Sequence, residues 1–464
     1  MMTVVVLSAT TMFAIMFLWP SALNTGYLSA PPPIVETAAR LPGAAFVRWI
    51  ERQPVSGNAG RYLIRLHNAS CVDGVTACPH LLIRIVGPRQ LKSLFAARVD
   101  DLHWAADYHL ECAGLYRVEF LPTFQAYVAA DGNITRQLAH FNQLQRLENV
   151  IRDAFAVPDS LAACDALHDP SSLPICTRDL VQSGGGSWII DGAGDAGPDA
   201  LSAEQIADFL TVTKYHLDEA YDPAIWMRLS PSSWEATGLD RARVAQLFQR
   251  LKYRFFSCQA GDLSRFMPAD GRICLAGDSH ARHLHNSMEI VINPSNIGCL
   301  NAAAKEICQA TAPLTYIMAP YGEIPEADLA ACRVLLFNTG QHPLAVLTTP
   351  SDYATMVDAV FGRLSRMANP PKMYWLTTML LVFCREVMRA RDEGRIPART
   401  AEFNRIATAA AQRAGLPIVD LFAVALPVFD LSYDHAHYKS PIGDALVTLA
   451  LLSIDPGDLG LSPA

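Results

Sequence analysis

The run Cys274-Leu275-Ala276-Gly277-Asp278-Ser279-His280-Ala281-Arg282 places a serine where a short apolar segment gives way to a helical pattern. A serine hydroxyl is a weak nucleophile and reacts only beside a positioned base. A candidate base lies near the end of the chain, in Asp434-His435-Ala436-His437-Tyr438. Asp434 and His437 are three residues apart, which on a helical turn puts them on one face. Asp434 would then hold the imidazole tautomer while His437 takes the serine proton. His435 competes as a base, but its adjacency to Asp434 points it to another side of the turn. The third group is Asn338-Thr339-Gly340-Gln341-His342, which also follows an apolar segment. The Asn338 amide can donate to an oxyanion, with the Ser279 backbone N–H as a second donor. One such donor is worth ~10²–10³ in turnover. The chemistry these residues could do is acyl transfer through an acyl-serine.

These groups need elements to carry them. From residue 271 onward, strand-like runs (273–276, 333–337, 373–377, 417–419) alternate with helical ones (283–291, 352–367, 400–414, 441–452). Such alternation predicts an α/β region whose parallel sheet is covered by helices on both faces. Ser279 and Asn338 then sit at the carboxyl ends of strands, where ligands bind in open α/β sheets. The helix after Ser279 aims its first N–H groups at the same place, which favours developing negative charge. Upstream, 44–137 alternates with period two: Tyr62, Ile64 and Leu66 share one face, as do Tyr116, Val118 and Phe120. This pattern predicts an antiparallel β-sandwich. Residues 138–156 read as a linking helix, 158–198 as loop anchored by Cys164 and Cys176, and 203–220 and 240–251 as helices. The chain divides on this reading into 1–40, 41–137 (sandwich), 138–163 (linker) and 164–464 (α/β region).

The GDSHAR run, the strand-terminal NTG and the late DxxHY together resemble the SGNH/GDSL hydrolase superfamily, and within it the PC-esterase branch. That branch holds plant trichome-birefringence-like O-acetyltransferases, the lumenal domain of the sialic-acid O-acetyltransferase, and the neurexophilin and PC-esterase domain (NXPE) proteins. The resemblance spans about residues 164–452 and is strongest at 277–282 and 434–438. The segment 173–188, with Pro174-x-Cys176 and Gly186-x-Trp188, is similar to the one that opens the branch's domain. The NXPE relatives also carry an immunoglobulin- or filamin-like sandwich, as 44–137 would supply. The resemblance implies an SGNH-type sheet and a lumenal, mostly Golgi enzyme that moves acetyl groups onto glycan hydroxyls without a cofactor or metal. By position, it makes Ser279 the nucleophile, Asp434 and His437 the other triad members, and Asn338 an oxyanion residue. Asp278, His280, Arg282 and Gly340 are the candidate supporting residues. The superfamily's second-block glycine is matched by either Gly298 or Gly322, and the plant Trp-Pro-Cys spacing is absent around Trp226, Trp234 and Cys258. With water as acceptor, the same site is an acetyl esterase. The non-enzymatic alternative is a glycan- or protein-binding sandwich with a decayed α/β region.

The remaining features are read from composition. The 464 residues carry a net charge of -8 and only 18% charged side chains, which excludes a basic nucleic-acid surface. No charge precedes Glu36, and the apolar run 1–19 ends at Pro20. As a helix that run would be about 28 Å long against a hydrocarbon core of ~30 Å. It predicts a single membrane anchor through residues 3–19 with a Pro-rich stalk, the alternative being a cleaved signal peptide and secretion. No second run of that length occurs, which excludes a multi-span channel or transporter. Sequons at Asn68 and Asn133 predict glycosylation in a lumenal compartment. Among eleven cysteines, Cys71, Cys78 and Cys112 could staple the sandwich, Cys299 could pair with Cys308, and Cys258 with Cys274; Cys332 and Cys384 read as buried thiols. Trp104 and Tyr108 read as packing residues rather than sugar platforms. His280, His283 and His285 read as motif and helix-face residues rather than metal ligands. Arg282 either binds a substrate carboxylate or makes a structural ion pair.

Overall fold

A computed structural model of the chain describes residues 47–66, 80–87, 89–100, 102–124, 127–128, 135–136, 151–158, 160–191, 247, 249–268, 270–292, 313–346, 348–380, 395, 397–431, 437–438 and 440–461. The anchor at residues 3–19, both sequons, Asp434, His435, Gly298 and the cysteines 71, 78, 299, 308 and 384 lie outside these. Among the described residues, no helix is long and apolar enough to cross a membrane.

The first strands are β1 (Val47–Pro54), β2 (Ala59–Leu66), β3 (His80–Val86), β4 (Leu91–Phe95), β5 (Ala97–Arg98), β6 (His103–His109) and β7 (Gly114–Phe124). A two-residue pair follows, β8 (Tyr127–Val128) with β9 (Thr135–Arg136), then β10 (Ile151–Val157). After α1 (Ala162–His168) and α2 (Arg178–Gly184) come β11 (Gly186–Ile190) and β12 (Leu251–Phe255). These strands build an antiparallel sheet in the order β1-β2-β6-β5 and a six-stranded sheet in the order β10-β7-β3-β4-β11-β12. Period-two burial makes them face each other: Tyr62, Ile64, Trp104 and Tyr108 from the first sheet share one core with Leu81, Ile83, Ile85, Tyr116, Val118 and Phe120 from the second. Trp104 and Tyr108 are buried here and offer no sugar platform.

Three element expectations are corrected. The stretch 158–198, read as a loop, carries α1, α2 and β11. The linking helix predicted over 138–156 is not a helix at its end: residues Ile151–Val157 pair antiparallel with β7, Phe155 opposite Tyr116. The helix predicted over 240–251 gives way at Leu251 to β12, which pairs with β11. The six-stranded sheet therefore takes strands from both sides of the divisions placed at 138 and 164.

The second layer starts at β13 (Arg272–Gly277), which leads into α3 (Ser279–Ile292). It continues with β14 (Leu314–Met318), α4 (Glu326–Leu329), β15 (Cys332–Phe337), α5 (Gln341–Ala345), α6 (Pro350–Ser365) and β16 (Lys372–Leu376). It closes with α7 (Pro397–Arg413), β17 (Ile418–Val419), α8 (Leu421–Ala425) and α9 (Ile442–Leu452). The five strands are parallel in the order β14-β13-β15-β16-β17. Both faces are covered, so alternate residues of each strand enter different cores. Ile273, Leu275, Val334 and Leu336 pack with Leu284 and Met288 of α3 and Leu446 of α9. Leu335, Phe337 and Trp375 pack with Tyr353 and Phe361 of α6 and Phe403 of α7.

The six-stranded sheet turns its outer face onto this layer. Leu82 packs with Leu380, Leu426 and Phe429, and Trp188 Nε1 donates to the Val424 carbonyl at 2.6 Å. Arg84 and Glu119 are opposite each other on β3 and β7 at the same face, both fully buried, with Arg84 Nη2 2.6 Å from Glu119 Oε2. The disulfides are Cys112–Cys164, Cys176–Cys258 and Cys274–Cys332. Cys258 therefore pairs with Cys176 rather than Cys274, and Cys332 is bonded rather than a free thiol. The last bridge joins the adjacent strands β13 and β15.

Candidate active site

In the strand order, β14 and β15 flank β13, so the connections leaving β13 and β14 run to opposite sides. The loops after β13 and β15 border the switch point of an open parallel sheet, where a crevice forms outside the strand ends. Ser279 and Asn338 open these two loops, and hydrogen bonds hold the loops to the sheet. The Asn338 N–H donates to the Ala276 carbonyl at 3.0 Å, and the Ala319 N–H to the Gly277 carbonyl at 2.8 Å. Gly277 permits the close approach: its φ is +153°, and a Cβ there would lie 2.8 Å from the Asn338 carbonyl oxygen.

Ser279 is half-buried at the first position of α3. Asp278 caps that helix, its Oδ1 accepting from the His280 N–H at 2.8 Å. The Asp278 carboxyl is fully buried. Burial pushes its pKa above the usual carboxylate range, opposed by the His280 amide, by His342 and His437, and by the Gln341 amide. In the unfolded chain this group ionises near ~3.9. Below that pH the carboxyl is neutral in both states. As pH rises through the unfolded value toward the raised folded one, the fold loses stability. Asp278→Asn keeps a capping oxygen and removes the titration. Its stability advantage over the natural chain should grow as pH rises above about 4, read by urea denaturation across pH. A gap that shrinks with pH would contradict the burial.

His437 returns to this helix from far along the chain. Its ring centroid lies 4.0 Å from that of His283 and 5.4 Å from that of His280. Ser279 and His283 are four residues apart on α3 and share a face. His437 thus packs on a residue one helical turn along α3 from Ser279. A small crevice beside it, with room for about one water, is lined by His283, Leu284, Ser287, Met379, Tyr438 and Leu446. Tyr438 anchors the segment by donating its hydroxyl to the Leu380 carbonyl at 3.0 Å.

Asn338 is placed differently from the oxyanion expectation. Its Nδ2 donates to the Leu376 carbonyl at 2.8 Å and to Thr378 Oγ1 at 3.0 Å. Both amide hydrogens are used in tying the β15 loop to the β16 loop. Gly340 makes room for this contact, because a Cβ there would overlap Thr378 Oγ1. Asn338→Ala should therefore cost about 1–3 kcal/mol of stability, the price of breaking buried hydrogen bonds. An unchanged denaturation midpoint would show that the amide does not hold these loops. Gly322 is likewise engaged: its N–H donates to the Ala319 carbonyl at 2.9 Å.

Arg282 is half-buried beside Tyr316 and, among the described residues, makes no ion pair with a carboxylate. The Tyr316 hydroxyl lies 3.2 Å from the Gly277 carbonyl and 3.0 Å from that of Asp278. Burial and the nearby Asp278 push its pKa up to about 12, against the Arg282 charge. His280 is buried at the base of the group. His283, expected only on a helix face, lies against His437, and His342 acts on the Asp278 carboxyl. The i, i+4 spacing from Ser279 was the signal for His283; nothing local marked His342.

No protein-family model and no curated protein matches this sequence. Solved structures are similar to part of this chain. An α/β-hydrolase enzyme from the metagenome of Lake Arreo, Spain, is 13% identical, with 42% of this chain matched to 98% of that one at a TM-score of 0.26. A lipase/acylhydrolase from Enterococcus faecalis is 14% identical over 39% of this chain and 93% of its own, with a TM-score of 0.27. An acetylxylan esterase from Geobacillus stearothermophilus is 10% identical over 43% and 97%, also at 0.27.

Proposed function

We propose that the chain is a serine-dependent acyl-transfer enzyme that acetylates hydroxyls of a glycan or polysaccharide. The reading is carried by one juxtaposition. A serine opens a helix at the switch point of a parallel sheet, and a histidine from 158 positions later packs one turn along the same helix.

In this reading Ser279 Oγ attacks the acyl carbonyl while its proton passes to His437. The carbon–oxygen or carbon–sulfur bond to the donor's leaving group breaks, and His437 returns the proton to that group. The acceptor hydroxyl then attacks the acyl-serine, gives its proton to His437, and Ser279 Oγ leaves with a proton. Asp434 is assigned the orientation of His437, and the Ser279 N–H at the start of α3 is assigned to the oxyanion. The bonding of its Nδ2 makes Asn338 a holder of the crevice wall. No cofactor or metal is required by these steps. Three disulfides among the described residues support an oxidising, secretory-pathway location, with residues 3–19 as a single Golgi-type anchor and Asn68 and Asn133 glycosylated. With water as acceptor, the same steps give an acetyl esterase.

The test uses the full chain with p-nitrophenyl [¹⁴C]acetate as donor and a panel of glycans, beside Ser279→Ala. Label on a glycan, lost in the variant, supports transfer; label only as free acetate makes the enzyme a hydrolase. Equal label in natural chain and variant removes Ser279 from the chemistry.

A further inference from the structure

We infer that His283 is a positioning residue, the platform on which the His437 ring is held in register with Ser279. The inference rests on the reading of His437 as the base and adds a residue to it.

Three observations carry it. First, His283 is buried on the face of α3 that also bears Ser279, so its ring has a defined place relative to the nucleophile. Second, the two imidazole centroids lie 4.0 Å apart with the rings tilted by 30°, whereas His280 meets His437 at 5.4 Å and 59°. Such a pair touches over its ring faces and restricts tilt and sliding of the outer ring. Third, His437 itself lies in neither a helix nor a strand, so what its ring packs against contributes to its orientation. His283 is fixed by helix backbone and burial, and can supply that.

A ring platform predicts that flatness, not ionisation, is what matters. His283→Phe should retain most of the turnover of the full chain on p-nitrophenyl acetate. His283→Ala should lower kcat about 10²-fold with KM little changed, the scale of a ~1 Å misplacement of a reacting group. The rate at which diethyl p-nitrophenyl phosphate modifies Ser279 should fall in parallel. The ¹H–¹³C resonances of the His437 ring, assigned with His437→Gln, give a readout that does not need activity. They should shift and broaden in His283→Ala and stay sharp in His283→Phe. Unchanged His437 resonances in His283→Ala would overturn the platform whatever the activity. Disturbed resonances with unchanged Ser279 modification would overturn its part in the reaction, as would a His283→Phe variant as slow as His283→Ala. If His437→Gln modifies at the natural rate, it is the base assignment that fails; the spectra then still decide whether His283 holds the ring.

Discussion

Ser279→Ala is expected to lower acyl turnover by roughly 10⁴- to 10⁶-fold while leaving the fold intact. The size follows from the chemistry. Without the hydroxyl there is no acyl-enzyme, and the difficult step is no longer divided in two. What remains is binding and whatever N–H groups face the oxyanion. The fold should not notice, because Ser279 occupies the first turn of α3, where alanine is a good helix former and Asp278 still supplies the cap. Because nucleophile and base act as a unit, Ser279→Ala combined with His437→Gln should be no slower than Ser279→Ala alone. Turnover within tenfold of the natural chain, in protein unfolding at the same temperature, would sink the nucleophile assignment.

The largest effect on stability is expected at Glu119→Ala, about 3–5 kcal/mol by urea denaturation. Arg84 and Glu119 are opposite each other on β3 and β7, and both side chains are fully buried. Their attraction offsets a desolvation cost of several kcal/mol per ion. Removing Glu119 leaves the Arg84 charge in a low-dielectric place without the carboxylate that faced it. Arg84 cannot escape by losing its proton. The double change Arg84→Met with Glu119→Leu should recover most of the loss, because an apolar pair suits a face already lined by Leu82 and Phe429. A Glu119→Ala chain within 1 kcal/mol of natural would contradict a dry pair, since exposed ion pairs are worth only about 0–1 kcal/mol.

The parallel sheet was legible where both faces are dry. Strands such as Ile273–Ala276 and Val334–Phe337 read as apolar runs because alternate residues enter different cores, and Gly277 and Asn338 mark their ends. Leu314–Met318 was missed because it lies at the sheet edge, where Thr315 and Tyr316 interrupt the run. Ile151–Val157 was misread because its partner decides it: Phe155 and Val157 point into a core built by residues some forty positions upstream and further. Disulfide pairing needed the fold outright, since Cys176 and Cys258 are 82 residues apart. At the site, strand ends marked Ser279 and Asn338 as candidates, and the Asp434-x-x-His437 spacing marked His437. What the Asn338 amide does depends on Leu376 and Thr378, about forty residues on, and no local pattern contains that.

The six-stranded sheet has a consequence for how the chain is made. β4 meets β11 at one residue pair, Leu91 opposite Trp188, and β11 pairs along its length with β12, which ends at Phe255. Translation adds about 5–20 residues per second, so β4 emerges with one side unmatched for on the order of ten seconds. An unmatched strand edge is a template for other chains. The nascent N-terminal half is therefore the period when this protein most needs a chaperone. A ribosome stalled shortly before Gly186 should hold a chain that is more protease-sensitive and more aggregation-prone than one stalled well past Phe255.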